Sequence, residues 1–332
     1  MRKLADISAP VKKDLRKISL LADKFQTLSN QKAGKAVAAA VNTGGKQLRP
    51  LLALLTAGAS GHKIDRRFYM LSAALEMLHN SSLIHDDVVD NSRTRRGAKA
   101  LNGILDNKTA VLAGDFIFTT SLRLFNEWAS PSLFDFILRA VSKMTVAEID
   151  QLYTMNDLEM REKDCVDIII AKTGLLFEAA ALLSADPDKD KASYKRFGIL
   201  GRSIGTLYQL SDDWLDYTGG PEILGKDSLN DLSEGKVTLP LIYMRRSLSA
   251  SGRRVLDSMI GKKTIKLSDR ALIKLLLTKS GAESGIKSIM KKHKSRALSV
   301  INTFPDSPSK RSLACLCAYI EERTFPAETP YK

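Results

Sequence analysis

Cysteine is scarce in this chain: three residues in 332, Cys165, Cys315 and Cys317. They are too few for a disulfide framework and lack the spacing of a metal knuckle, which leaves a reducing compartment as the expectation. Proline and glycine are also few, at 10 and 20. That shortage excludes a many-stranded sandwich or barrel rich in tight turns and favours long helices. No run of 18 apolar residues occurs, so no membrane-spanning helix is expected. Met1–Leu20 has no apolar stretch of signal-peptide type, because Asp6 and Asp14 alternate with Lys and Arg. A glycine-rich phosphate loop ending in Lys-Ser or Lys-Thr is missing too, which removes nucleotide hydrolysis. What remains is 44% hydrophobic and 27% charged, enough for a sizeable core. The expectation is an intracellular, cytoplasmic protein of all-α class.

Charge is unevenly placed. The net charge is +14, and Lys and Arg outnumber acids by 17 to four between Arg245 and Arg311, a local +13. The basic C-terminal region 245–311 therefore holds nearly all of the excess. Such a surface could face nucleic acid, an anionic membrane or solvent. No aromatic residue lies between Lys262 and Asn302 to stack on bases, so no nucleic-acid partner is expected.

Most of the chain has helical period. Asp14–Leu28 places Ile18, Leu21, Ala22 and Phe25 on one stripe. Gly44-Gly45 breaks the chain, and further helices are predicted over Leu48–Ala59, Phe68–Asp90, Lys108–Trp128, Pro131–Tyr153, Glu162–Leu183 and Lys191–Asp216. Arg93–Leu105 reads as a loop or broken segment, and Gly219–Gly235 as the longest loop. Leu239–Leu248, Gly252–Ile260, Ser268–Ser280, Gly281–Val300 and Arg311–Arg323 complete the helices. One all-α domain over residues 1–332 is expected.

Two acidic motifs stand out, Asp86-Asp87-Val88-Val89-Asp90 and Asp212-Asp213-Trp214-Leu215-Asp216. Both read DDxxD. On a helix, positions i and i+4 lie about 40° apart in projection, so Asp86 stacks with Asp90 and Asp212 with Asp216. Three carboxylates in one turn repel unless cations sit between them, and aspartate is a mediocre helix former. A lone acidic turn is most often a solvated face. Two copies inside strongly apolar helices point instead to a paired site for magnesium, which takes oxygen ligands and shares substrate phosphate oxygens.

Cations cluster around these motifs. Lys46 and Arg49 follow the Gly44-Gly45 turn; Arg93, Arg95 and Arg96 follow the first acidic motif; Lys226 and Lys236 follow the second. Lys172-Thr173 sits in the apolar stretch Ile168–Leu176, an odd place for a lysine without an anionic partner. Each of these cations alone would be an ordinary solvated side chain. Together with acids that hold metal they describe a diphosphate site. The His85-Asp86 pair suggests a metal phosphohydrolase, but His62, His79 and His293 are the only other histidines, too few for that ligand set.

The sequence resembles the trans-prenyl diphosphate synthases, the polyprenyl synthetase family, and in particular its long-chain octaprenyl and solanesyl types. The motifs that carry the resemblance are Gly44 through Pro50, His79 through Asp90, Arg95-Arg96-Gly97, Ala113-Gly114-Asp115, Ala171 through Gly174, Gln209 through Asp216, Gly225-Lys226-Asp227 and Glu234 through Pro240. They span most of the chain in the family's order. The resemblance implies a helical bundle around a central apolar cavity, and condensation of isopentenyl diphosphate onto an allylic diphosphate. It implies that Asp86 and Asp90, supported by Asp87, bridge magnesium ions. Asp212, with Asp213 and Asp216 behind it, would take a further magnesium. Arg95, Lys172, Thr173, Gln209, Lys226 and Lys236 would contact the allylic diphosphate, while Lys46, Arg49, His79 and Arg96 would hold isopentenyl diphosphate. A homodimer and a quinone-type product are the family expectation.

Departures are few: Ala147 stands where the family often has glycine, and Asp150 where an apolar residue is common. A terpene cyclase would lack the second DDxxD, and a catalytically deficient partner subunit would have eroded Asp212–Asp216 or Lys172. Product length follows from the helix that carries Asp86. Ser82 and Ser81 lie about one turn before it, and Leu78 two turns before it. Short-chain members carry a bulky side chain at the nearer positions. Two serines leave that turn open, so a long-chain product is expected, with Phe118, Leu122 and Phe125 as candidates for a deeper floor. The bland alternative is that Ser81 and Ser82 are small only to let two helices approach. A farnesyl- or geranylgeranyl-sized product, or a role in a heteromeric synthase, is the competing reading.

Overall fold

Six of the described helices start at a side-chain cap. Asp65, Asp106 and Asp190 each accept a hydrogen bond from the backbone N–H three residues on, and Ser130, Ser249 and Ser307 do the same. Pro131 and Pro308 occupy first helical positions, where the missing N–H costs nothing. The computed structural model describes residues 2–27, 31–41, 45–95, 97–219, 229–262 and 265–326.

The elements run α1 (Leu4–Ser8), a 3₁₀ turn (Ala9–Val11), α2 (Lys12–Gln26), α3 (Gln31–Val41), α4 (Leu48–Ser60) and α5 (Arg66–Val89). A minimal antiparallel hairpin of β1 (Thr94–Arg95) and β2 (Ala98–Lys99) leads into α6 (Leu101–Ile104), α7 (Asn107–Trp128) and α8 (Pro131–Tyr153). Then come α9 (Glu162–Ile169), a π turn (Ile170–Gly174), α10 (Leu175–Leu182) and α11 (Lys191–Thr218). The chain ends through α12 (Asn230–Glu234), α13 (Leu239–Ser247), α14 (Ala250–Asp257), α15 (Leu267–Lys279), α16 (Ala282–Ile301) and α17 (Pro308–Thr324).

Helices α4 and α10 are apolar all round and are buried all round, as a central helix must be. Leu51, Leu52, Leu54 and Leu55 are fully buried on successive faces of α4. Helix α5 packs along α7, and α10 along α11. One contiguous cluster of buried apolar side chains extends from Ile7 to Ile320.

Three expectations are corrected. Arg93–Leu105 is structured as the hairpin and α6, pinned by the Ala100 N–H donating to the Arg93 carbonyl at 3.0 Å. The helix predicted over Glu162–Leu183 is interrupted by the π turn. In the predicted 219–235 loop, α12 forms after all, while residues 220–228 lie outside the described ones. Helices α1 and α3 carry too few strongly apolar positions for the period to reveal them.

The α10–α11 crossing depends on glycine. A Cβ at Gly201 would run into the carbonyl oxygen of Phe177, and one at Gly205 would sit 2.7 Å from the Phe177 Cβ. Backbone cannot yield as a flexible side chain would. Gly201→Ala is expected to destabilise the fold by about 1–3 kcal/mol. A lowered denaturant midpoint with an unchanged m-value checks this; an unshifted midpoint would show that the crossing tolerates the methyl.

Candidate active site

The C-terminal turn of α5 and the C-terminal half of α11 open onto one cavity of about 1030 Å³. Asp86 and Asp90 line it from α5, and Gln209, Asp212 and Asp213 from α11. Lys46, Arg49, His79, Arg95 and Lys236 line it as well. Lys172 and Thr173 enter from the π turn. The extra residue in that turn rotates both side chains inward, a common use of π bulges at functional sites. Beyond these groups the wall mixes apolar side chains, among them Phe118, Val141, Met144, Ile149, Leu152 and Ile168, with polar ones such as Gln26, Asn80 and Thr145.

Two motif aspartates do not line the cavity. Asp87 is buried and takes the Arg95 guanidinium, whose Nη2 lies 2.7 Å from Oδ1, while the Asn102 amide donates to its backbone carbonyl. Asp216 is buried and accepts the Asp231 N–H at 3.0 Å, anchoring α12 to α11. Both therefore hold the site's framework, in keeping with the supporting places expected for Asp87 and Asp216. Arg96 and Lys226 lie outside the described residues.

Charge balance in the mouth is local. Lys172 Nζ lies 2.7 Å from Glu148 Oε2 and also donates to Gln151 Oε1. Lys236 lies between Glu234 at 2.7 Å and Asp90 at 3.4 Å. Burial alone would lower the Lys236 ammonium, but the Asp90 and Glu234 carboxylates hold it above the usual lysine value. Thr173 Oγ1 donates to Gln209 Oε1 at 2.7 Å, and Gln209 Nε2 donates to Asp213 Oδ1 at 2.8 Å. Burial pushes the Asp213 carboxyl up, against this hydrogen bond, with Asp212 and Asp216 adding to the push. Burial, reinforced by the charge of Glu148, pushes Asp86 up to about 7. Lys172 opposes the shift at both Asp86 and Asp213, so its charge is felt by both acidic motifs.

Several functional side chains escaped the sequence reading. Arg323, from α17, pairs with Asp212 and stacks over Tyr208 at 5.1 Å, and Lys46 lies 5.8 Å from the same ring. Arg49 sits 4.9 Å over Phe177. These aromatic faces hold cations in place without neutralising them. Glu148 and Gln151, the partners of Lys172, carry no motif signal of their own. A lone arginine near a chain end has none either.

The chain-length positions are at the wall. Leu78, Ser81 and Ser82 line the cavity together with Phe118. The Ser81 hydroxyl, however, is buried and donates to the Gly114 carbonyl of α7 at 3.1 Å. Its small size serves the α5–α7 contact as well as the cavity. Ser82 is half-buried and lies on the Asp86 face. Phe125 is fully buried in the core, and Leu122 packs against it; neither lines the cavity. Ala147 is buried and Asp150 exposed, and neither lines the cavity.

Among the described residues, no three acidic or imidazole side chains converge closely enough to hold a metal unaided. The donor set nonetheless fits magnesium: carboxylate oxygens from both acidic motifs line one cavity, and Asp86 among them is raised by burial and by the charge of Glu148. An ion here would be completed by substrate oxygens and water.

The raised Asp86 carboxyl carries a stability cost. Its pKa rises from 3.8 to about 7, so the folded state holds the proton more tightly than the unfolded chain does. Stability of the metal-free protein therefore falls as pH rises through that window. Asp86→Asn removes the cost, so the variant should gain about 1–3 kcal/mol on wild type between the acidic and alkaline sides. Denaturation midpoints on both sides of the window check this, and a constant difference would remove the account.

Residues 30–275 match the family model for Polyprenyl synthetase. The chain is 31% identical over 291 residues to an octaprenyl diphosphate synthase of Escherichia coli (strain K12), covering 85% of this chain and 87% of that one. It is 32% identical over 313 residues to a geranylfarnesyl diphosphate synthase of Aeropyrum pernix, covering 90% and 96%. Its fold superposes on a polyprenyl synthase from Caulobacter crescentus CB15, crystallised with calcium and isoprenyl diphosphate, at a TM-score of 0.86. That match has 28% identity and covers 98% of this chain and all of the other. With residues of two acidic motifs on one cavity and the family model matched over most of its length, this chain belongs to the polyprenyl synthetase family, the prenyltransferases that make polyprenyl diphosphates.

Proposed function

We propose that the protein joins isopentenyl diphosphate head-to-tail to an allylic diphosphate, with magnesium, building a long-chain all-trans polyprenyl diphosphate for a quinone or related isoprenoid. One observation carries this: residues of two aspartate motifs, a set of cations and a group of apolar side chains line one cavity. The chain acts as a single domain over 1–332, its one buried cluster spanning the bundle.

Asp86, Asp90 and Asp212 would hold magnesium, which when bound neutralises charge developing on the leaving diphosphate. Lys172, Thr173, Gln209 and Lys236 bind the allylic diphosphate, with Lys226 as a further contact from the resemblance. Arg95, held on Asp87, adds positive potential beside it. Lys46, Arg49 and His79, with Arg96, bind isopentenyl diphosphate. The allylic C–O bond breaks with its electron pair going to the diphosphate. The C3–C4 double bond of isopentenyl diphosphate attacks the allyl cation, and a C2 proton leaves to a diphosphate oxygen. The chain's part is to fix both diphosphates and exclude water that would quench the cation.

Exposed apolar side chains on α7 and α8 support a homodimer. Leu112 is 68% and Tyr153 87% exposed, with Val111, Val146, Ile149 and Leu152 exposed around them. Free thiols at Cys165, Cys315 and Cys317 suit the cytoplasm. Peripheral contact with an anionic membrane through the basic C-terminal third completes this proposal.

Incubation with magnesium, an allylic primer and labelled isopentenyl diphosphate tests the activity. Asp86→Ala and Asp212→Ala should each cut diphosphate release by about a hundredfold or more while the fold persists. Near-wild-type turnover in either variant would refute the metal assignment.

Product length is read at Ser82. A ring there would enter the cavity one turn below Asp86, so Ser82→Phe should shorten the main product sharply at little cost in stability. Ser81→Phe should also shorten it but lose stability, because the Gly114 contact is displaced. Product lengths by chromatography and midpoints by denaturation separate the two effects.

A further inference from the structure

Helix α15 buries Ile273 and Leu277 against its neighbours α13 and α16. Its opposite side is not simply polar. Leu267 is 84% exposed and Leu275 49% exposed, with exposed Ala271 and Lys274 on the same side. On α14, Val255 is 46% exposed beside exposed Arg253 and Arg254. Lys262, Lys266, Lys279, Lys291 and Lys292 are exposed as well. Among the described residues from 250 to 300, Glu283 is the one fully exposed carboxylate, and Lys287 is paired with it.

Exposed leucines in a field of lysines fit a particular partner. Nucleic acid would reward the cations but leave the leucines idle, and no aromatic residue lies between Lys262 and Asn302 to stack on bases. A bilayer with anionic headgroups uses both: the apolar side chains enter the acyl boundary while lysines pair with phosphates. An uncharged protein groove would use the leucines and leave the lysines unpaired. Charge and apolar exposure together select the membrane.

We propose that the solvent side of α15, together with the lysines of the adjoining α16, is a docking surface for an anionic lipid bilayer, with Leu267 and Leu275 as its apolar anchors. Its purpose rests on the synthase reading, because a polyprenyl product is insoluble and must pass into lipid. The contact itself needs no catalysis.

The full chain, without substrate, is sedimented with vesicles of phosphatidylcholine alone and of phosphatidylcholine with phosphatidylglycerol, at low and high salt. Binding is expected only to the mixed vesicles, and to weaken at high salt. Lys291→Gln with Lys292→Gln should lower the partition coefficient about fivefold per charge at low salt. Leu267→Asp with Leu275→Asp, both at exposed positions, should release the chain without lowering its denaturation midpoint. Equal binding to both vesicles, no binding, or full binding by the leucine variant would overturn the proposal. So would retention on a duplex oligonucleotide with vesicles left unbound. Since no substrate is present, a negative result leaves the synthase reading standing, and a chain that makes no product could still bind lipid.

Discussion

Negative charge gathered at the mouth of an apolar cavity is the constraint around which this protein is arranged. Carboxylates in a low-dielectric setting repel over several ångströms and cannot all stay ionised without partners. The chain answers with cations set among these acids: Lys172 beside Glu148, Lys236 shared by Asp90 and Glu234, and Arg323 on Asp212. Asp86 has no such close partner, and its carboxyl is raised. The ion pairs are exchangeable by construction. Under the proposed function, a diphosphate arriving at the mouth would compete with Glu148 for Lys172, and a divalent ion with Arg323 for Asp212. Substrate-free pairing keeps the mouth assembled without filling it.

The same constraint explains why α5 carries so much of the site. Its buried half, with Leu71, Leu75 and Leu78, belongs to the core. Its last turns carry His79, Ser82, Asp86 and Asp90 onto the cavity. Helical period links these roles, since Leu78, Ser82, Asp86 and Asp90 recur every fourth residue on one face. The position of the metal-binding carboxylates and the diameter of the cavity one turn below are thus set by one rigid element. A shift of α5 would move both together.

Most of the fold was legible because its helices are long and periodic. Pro131–Tyr153 is bounded as the proline and the apolar spacing predict. The acidic motifs were legible because three aspartates in an apolar helix are costly without a role. Less legible were features that depend on contacts between distant segments. Nothing in the sequence near Lys172 distinguishes a π turn from a continuous helix, because both bury the same apolar side chains. Nor does Arg323 reveal that α17 folds back over Tyr208. Asp87 and Asp216 look equivalent to their motif neighbours in sequence. They part from them only when the hairpin brings Arg95 to one and α12 brings the Asp231 N–H to the other.

The α5–α7 contact shows how closely wall and mouth are coupled. Gly114 lies where any Cβ would collide with the His85 imidazole, whose Nε2 lies 3.3 Å from Asp115 Oδ1. The Gly114 carbonyl accepts from Ser81. One glycine thus lets α7 approach α5 beside Asp86 and, about one turn earlier, beside the channel wall. A larger residue at position 114 would force the His85 ring to move, and with it the contact to Asp115, which lines the same cavity. Close packing at this crossing therefore serves the geometry of the carboxylates and the width of the channel at once. That coupling explains why Gly114 and Asp115 sit together in a motif although neither belongs to the acidic pair.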